Sequence, residues 1–135
     1  PRCVPTSSAT PRAPARLPVT PAVYALAHPV AAILHPHSSF VSALSVLRRP
    51  LPPVIDEMML YLGGQIEVTD YAFTGTEAVG TNVIRALGDR AGVILANHGN
   101  VCVGPTLERA LHVAVTIEWN ARIEFDAFQH GQRAR

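Results

Sequence analysis

The 135-residue chain is 48% apolar and 16% charged, with a formal net charge of +1, which is close to an ordinary folded domain. It contains no lysine, so Schiff-base and pyridoxal chemistry and a Walker A phosphate loop are excluded by residue type. The near-neutral charge, without a dense arginine stripe, also argues against a nucleic-acid partner.

The sequence also carries expectations about where the protein works. No run of about 18 apolar residues is present to span a bilayer, and the N-terminus has no apolar signal core. The two cysteines, Cys3 and Cys102, are far apart in the sequence and do not indicate a disulfide framework. We therefore expect a cytoplasmic protein without a membrane partner. Because the chain begins with Pro1, we also expect a piece of a longer protein or a processed product.

Composition divides the chain into three parts. Residues 1–18 contain five prolines and almost no large apolar side chains, so we expect a disordered tail there. Residues 19–130 carry the apolar pattern of one folded domain, and residues 131–135 are expected to be flexible. Charge is also divided, because residues 1–55 hold five arginines and no acid, whereas residues 56–135 hold six arginines and ten acids.

Apolar periodicity and turn residues predict alternating helices and short strands. In chain order the predictions are a helix over 19–27, a buried strand over 30–34, helices over 40–47 and 54–62, a half-exposed strand over 65–70, a helix over 77–87, strands over 91–97 and 101–103, and a long helix from 107 to about 128. Ser38 or Ser39 is expected to cap the helix over 40–47. One face of the long helix is predicted to carry Leu107, Ala110, Leu111, Ala114, Ile117, Ala121 and Phe125. This order predicts an α/β fold with helices packed on a sheet.

Three histidines stand at the predicted ends of apolar strands. His35 and His37 are separated by one residue, so in an extended segment both rings point to the same side. His98 directly follows the next apolar strand and precedes Gly99. A single histidine in such a place is more often structural, but three together with an open position form the ligand set of a catalytic zinc site.

Four segments carry a resemblance to a known family: HPHSSFVSAL, LPPVIDEMMLYLGG, YAFTGTEAVGTNV and ILANHGNVCVGPTLERAL. In this order and spacing they resemble the class II aldolase and adducin family, over about three quarters of the chain. The resemblance implies a three-layer α/β/α sandwich with a central, mostly antiparallel sheet, here incomplete at the N-terminus. It also implies a metal held by His35, His37 and His98, normally Zn²⁺ with Mn²⁺ or Co²⁺ possible. The implied activity is aldehyde-lyase cleavage of a sugar phosphate through a metal-bound enediolate, in a homotetramer.

The chain departs from the family pattern upstream of the histidines. No Asp or Glu precedes Asp56, whereas family aldolases carry a carboxylate base there, and their phosphate-binding loops are also missing. Since general acid or base help is typically worth about 10² to 10⁴ in rate, its loss should leave little activity. Glu57 is the nearest candidate substitute, although an exposed or paired carboxylate on its helix is the simpler interpretation.

Two hypotheses therefore stand. The first is that the chain is a truncated or diverged zinc-dependent sugar-phosphate aldolase, which cleaves or epimerises a phosphorylated ketose through a metal-held enediolate and is weakened by loss of the family carboxylate. Alternatively, it is a non-catalytic adducin-like domain, or a fragment of an enzyme, that acts in assembly.

Overall fold

The computed structural model describes Val23 and residues 30–131. Its elements are β1 (Ala32–Leu34), α1 (Ser39–Leu47), α2 (Asp56–Leu62), α3 (Glu77–Leu87), β2 (Gly92–Ile94), β3 (Asn100–Gly104) and α4 (Leu107–Gln129). The helix predicted over 19–27 lies outside the described residues except for Val23, which is helical. The proposed tail over 1–18 also lies outside them.

The three strands form one antiparallel sheet in the order β1-β3-β2. In the register of this sheet Cys102 of β3 pairs with Leu34 on one side and with Gly92 on the other. Since β1 and β2 both run opposite to β3, they end at the edge where β3 begins. The segments that follow β1 and β2 therefore meet at this edge.

Alternate residues of the sheet enter two apolar clusters on its opposite faces. One cluster contains Ile94 and Cys102 together with residues of α1, α2 and α4. The other contains Val93, Val101 and Val103 together with residues of α3. The α/β fold predicted from the sequence is thus confirmed, with a small antiparallel sheet and helices packed against it.

The segment predicted as a strand over 65–70 forms only isolated bridges. Val68 pairs with Ile94 in parallel, and Ile66 pairs with Leu51 in antiparallel. Two backbone hydrogen bonds join this segment to β2. Thr69 N–H donates to the Ile94 carbonyl and Ile94 N–H donates to the Glu67 carbonyl, each at 2.8 Å. Because pairing on each side stops after one position, the segment does not become a regular strand.

The buried face of α4 differs from the predicted one. Ala110, Ala114, Ile117 and Ala121 are buried as expected, whereas Leu107, Leu111 and Phe125 are exposed. In their place the helix buries the following side chains: Val113, Thr116, Asn120 and Glu124. The helix thus buries mostly small or polar side chains and leaves several large apolar ones exposed.

Among the residues that the structure describes, no helix is both long enough and apolar enough to cross a bilayer.

Candidate metal centre

The three predicted histidines meet at the sheet edge where β3 begins. His35 and His37 directly follow β1, and His98 lies in the turn between β2 and β3. The potential ligand nitrogens of the three rings all lie within 4.8 Å of one another. The ring centroids are 4.7–4.8 Å apart in all three pairs. Within the described part of the chain this is the one group of three or more histidine, cysteine or acidic side chains close enough to hold an ion.

The spacing of the rings suits a single cation. The Nε2 atoms of His35 and His37 are 3.0 Å apart. Two nitrogens bound at about 2.0–2.1 Å to a tetrahedral Zn²⁺ would be about 3.3 Å apart. Three imidazoles are also the donor set of catalytic zinc sites, so the residues present fit such an ion.

Asn100, the first residue of β3, joins the two histidine segments through its backbone. Its N–H donates to the Pro36 carbonyl at 3.1 Å, and its carbonyl lies 2.8 Å from Nδ1 of His35. Because a carbonyl can only accept, Nδ1 of His35 carries the proton. Its Nε2 therefore keeps a free lone pair, as a metal ligand requires.

The turn that carries His98 is held tightly against the His35–His37 segment. It is closed by Leu95 N–H donating to the Gly99 carbonyl at 2.7 Å, and Asn97 adopts the left-handed conformation at φ 58°. A Cβ on Gly99 would lie 2.5 Å from the Pro36 carbonyl oxygen and 2.7 Å from Cδ2 of His37. Only glycine therefore allows the two segments this close approach.

Burial favours the neutral form of the His35 and His98 rings. Desolvation lowers the pKa of His35 below 6.5, with a smaller lowering by His37, while its bond to the Asn100 carbonyl opposes the shift. The pKa of His98 is lowered by desolvation and then by His35 and His37. Both rings therefore favour the neutral form at pH 7, which is the form that binds metal.

Two residues that sequence reasoning did not assign to the site support it. Asn100 contributes through backbone groups, which leave no residue-type signal. Glu118 of α4 accepts hydrogen bonds from the N–H groups of Phe40 and Val41, each at 3.0 Å. The expected cap at Ser38 is not observed, because its side chain makes no capping bond. Glu118 is 78 residues from Phe40, so no local pattern could reveal it.

The candidate base is placed on a different element from the histidines. Glu57 lies in the first turn of α2 and is half-buried, while Asp56 beside it is exposed. Neither carboxylate belongs to the histidine cluster. The structure thus brings His35, His37 and His98 together and leaves Glu57 apart from them.

A groove of about 450 Å³ lies between α4 and the segment that carries His35 and His37. It is lined by Pro36 and Ser38, the residues that alternate with the histidines, and by Trp119 of α4. Since neighbouring residues of an extended segment point to opposite sides, this groove is separate from the face that carries the rings.

Comparisons with known proteins agree with the fold and the motifs. The profile of the class II aldolase and adducin N-terminal domain matches residues 6–125. This chain therefore belongs to the class II aldolase and adducin family.

Among individual proteins, the chain is 33% identical to 5-methylthioribulose-1-phosphate/5-deoxyribulose-1-phosphate aldolase of Rhodospirillum rubrum, over 66% of this chain and 40% of the relative. It is 32% identical to L-fuculose phosphate aldolase of Escherichia coli O6:H1, over 68% of this chain and 43% of the relative. A solved L-fuculose 1-phosphate aldolase superposes with a TM-score of 0.82 at 29% identity, covering 87% of this chain and 55% of that one. The chain thus spans about two fifths of the length of these curated relatives.

Proposed function

We propose that this chain is a divalent-metal-dependent aldehyde-lyase that cleaves a phosphorylated ketose. His35, His37 and His98 would hold the ion, for which Zn²⁺ is the first candidate and Mn²⁺ or Co²⁺ are alternatives. The observation that carries the proposal is the convergence of these three rings from two separate segments. Relatives named as aldolases of fuculose phosphate and of 5-deoxyribulose 1-phosphate support the substrate class.

The reaction is a retro-aldol cleavage, in which the bond between the α and β carbons of the ketose breaks. The β-hydroxyl loses its proton and becomes the carbonyl of the released aldehyde, while the electron pair delocalises onto the oxygens of the other fragment, which is then protonated at its α carbon. When bound, the ion would supply a Lewis acid that stabilises this negative charge. His35 is prepared for ligation because its Nδ1 proton is committed to the Asn100 carbonyl. Glu57 is the carboxylate that we propose to transfer the proton, since no Asp or Glu precedes Asp56 in the sequence.

We also propose that the whole protein is a three-layer α/β/α sandwich, forms a homotetramer and is cytoplasmic. Helices on both faces of the sheet support the first. Exposed apolar side chains on the outer face of α4, such as Leu111 and Trp119, support association with another subunit.

A non-catalytic role in assembly, as in adducin, is the second candidate. It is favoured by the absence of any acid before Asp56 together with the apolar outer face of α4, where Leu107 and Val115 are also exposed. In that case the histidines would bind metal for structure alone, and no ketose phosphate would be cleaved.

The test is aldol cleavage by the zinc-loaded protein. A panel of ketose 1-phosphates is supplied, and release of dihydroxyacetone phosphate is measured by a coupled reduction assay. We expect dihydroxyacetone phosphate release that is lost in His98→Ala. The control is His130→Ala, which replaces an exposed histidine at the end of α4 and should retain the release. Glu57→Gln should lower the rate by about 10² to 10⁴. A zinc-loaded protein that releases nothing from any substrate would support the assembly role instead.

A further inference from the structure

Helix α1 is capped by a residue from another helix rather than by its own first residues. Ser38 stands at the N-cap position with extended backbone (φ −72°, ψ 153°), yet its side chain makes no capping bond. Instead, Oε1 of Glu118 accepts from Phe40 N–H and Oε2 accepts from Val41 N–H, both at 3.0 Å. These are the N–H groups that an N-cap side chain ordinarily satisfies.

The remote cap does something that a local cap would not. A serine cap satisfies the same groups without connecting them to the rest of the fold. The Glu118 carboxylate instead ties the first turn of α1 to α4, and bonds of this kind are stronger because the acceptor is ionised. Helix α4 is itself packed on the sheet through residues such as Ile117, which neighbours Glu118 in sequence.

The ligand His37 lies between two such anchors. On its N-terminal side, the Pro36 carbonyl accepts from Asn100 N–H of β3. On its C-terminal side, three residues further on, Phe40 donates to Glu118 of α4. His37 is the exposed member of the cluster, so its position depends on these backbone anchors more than on packing of its ring.

We propose that Glu118 is a positioning residue for the metal centre, which acts through the backbone of residues 37–41 to hold His37 beside His35. This inference rests on the proposed function, because it assumes that the three histidines hold an ion. Outer contacts that orient metal ligands commonly change metal affinity by about 10- to 100-fold when they are removed.

The test measures Zn²⁺ affinity of the folded protein by chelator competition, together with thermal unfolding of the metal-free protein. Glu118→Ala removes both acceptors and should weaken Zn²⁺ binding by about 10- to 100-fold. Glu118→Gln keeps one acceptor oxygen and should bind with intermediate affinity. Thr106→Ala is the matched control, because it removes the cap of α4 at the opposite end of the sheet, where Thr106 Oγ1 accepts from Arg109 N–H at 3.2 Å. Its unfolding temperature should fall while its Zn²⁺ affinity stays at the wild-type value.

The outcomes separate the two proposals. If the wild type binds Zn²⁺ and a folded Glu118→Ala binds it equally well, the positioning role is wrong while the metal centre stands. If the alanine variant does not fold, Glu118→Gln decides, with weakened binding in support and wild-type binding against. If the wild type itself binds no Zn²⁺, both the proposed function and this inference fall.

Discussion

At the scale of single residues, each imidazole is oriented by a different contact. His35 is oriented by its bond to the Asn100 carbonyl. His37 is held through the backbone on either side of it. His98 is aimed by a turn whose Asn97 N–H donates to the Ser45 carbonyl at 3.1 Å. Loss of any one contact should therefore disturb the metal centre more than the fold.

Gly99 provides a direct test of this tight arrangement. In Gly99→Ala the new Cβ would collide with the Pro36 carbonyl oxygen and the ring of His37, so the two segments must separate. We expect a loss of about 1–3 kcal/mol in the free energy of unfolding, with Zn²⁺ affinity lowered at least about 10-fold. Urea unfolding and chelator competition measure the two effects.

Gly88→Ala is the matched control for that variant. Gly88 has φ +54° and ψ −124°, a conformation that favours glycine, and a Cβ added to it would have no neighbouring atom within 4 Å. Alanine there should therefore cost about 1–3 kcal/mol through backbone strain alone. Its Zn²⁺ affinity should equal that of the wild type. Equal affinities in both alanine variants would show that the close approach at Gly99 does not matter to the site.

The histidines could be predicted from sequence because their signal is local. Each follows a short apolar strand, and strand ends that share a sheet edge bring their next residues together. Glu118 and Asn100 could not be predicted in the same way. Glu118 acts across 78 residues through a tertiary contact. Asn100 acts through backbone groups that any residue type except proline would offer.

At the scale of elements, the helix N-termini differ in how they are capped, and this difference can be measured. Ser38 Oγ is buried without a hydrogen-bond partner among the described residues, whereas Thr106 Oγ1 caps α4. We expect Ser38→Ala to change the free energy of unfolding by less than about 0.5 kcal/mol. Thr106→Ala should cost about 1 kcal/mol. Chemical denaturation of the two variants checks this, and equal losses would contradict the assignment of the α1 cap to Glu118.

A second element-scale prediction concerns the ion pair between Glu124 of α4 and Arg49, which follows α1. Arg49 Nη2 donates to Oε1 of Glu124 at 2.5 Å, while Oε2 is buried without a partner among the described residues. Desolvation raises the pKa of Glu124 above its ordinary 4.5, and Arg49 opposes the shift. The folded state therefore binds a proton at the Glu124 carboxylate more tightly than the unfolded state does.

The sign of the resulting pH dependence follows from that difference. Stability linked to Glu124 is fully present below about pH 4.5 and is lost as the pH rises through the raised folded pKa. Glu124→Gln removes the titration but keeps an acceptor for Arg49. The wild type should thus lose stability relative to Glu124→Gln as the pH rises from 4 toward neutrality, as measured by urea unfolding at each pH. A constant difference would mean that the carboxylate is not perturbed by burial.

Helices were easier to predict than the edges of the sheet. The helix over Glu77–Leu87 ends where Gly88 predicts, because local turn chemistry determines its end. The segment over 65–70 alternates like a strand, yet it meets β2 through a single bridge. Likewise, Leu107 and Phe125 fit an apolar helix face but are exposed, since the packing partner determines which face of α4 is buried.

At the scale of the whole molecule, family membership and chemical activity rest on different evidence. The family profile covers residues 6–125, but the chain spans only about two fifths of the length of the curated aldolases. What this chain itself supplies is the histidine cluster and the sheet edge that forms it. We therefore propose, above all, that these three side chains bind one ion.

The most direct measurement of that claim is the metal content of the purified protein after exposure to Zn²⁺ and removal of free ion. We predict one zinc per chain in the wild type and in His130→Ala, and none retained by His37→Ala. Absence of zinc from the wild type, or equal zinc in the wild type and His37→Ala, would contradict the proposed metal centre.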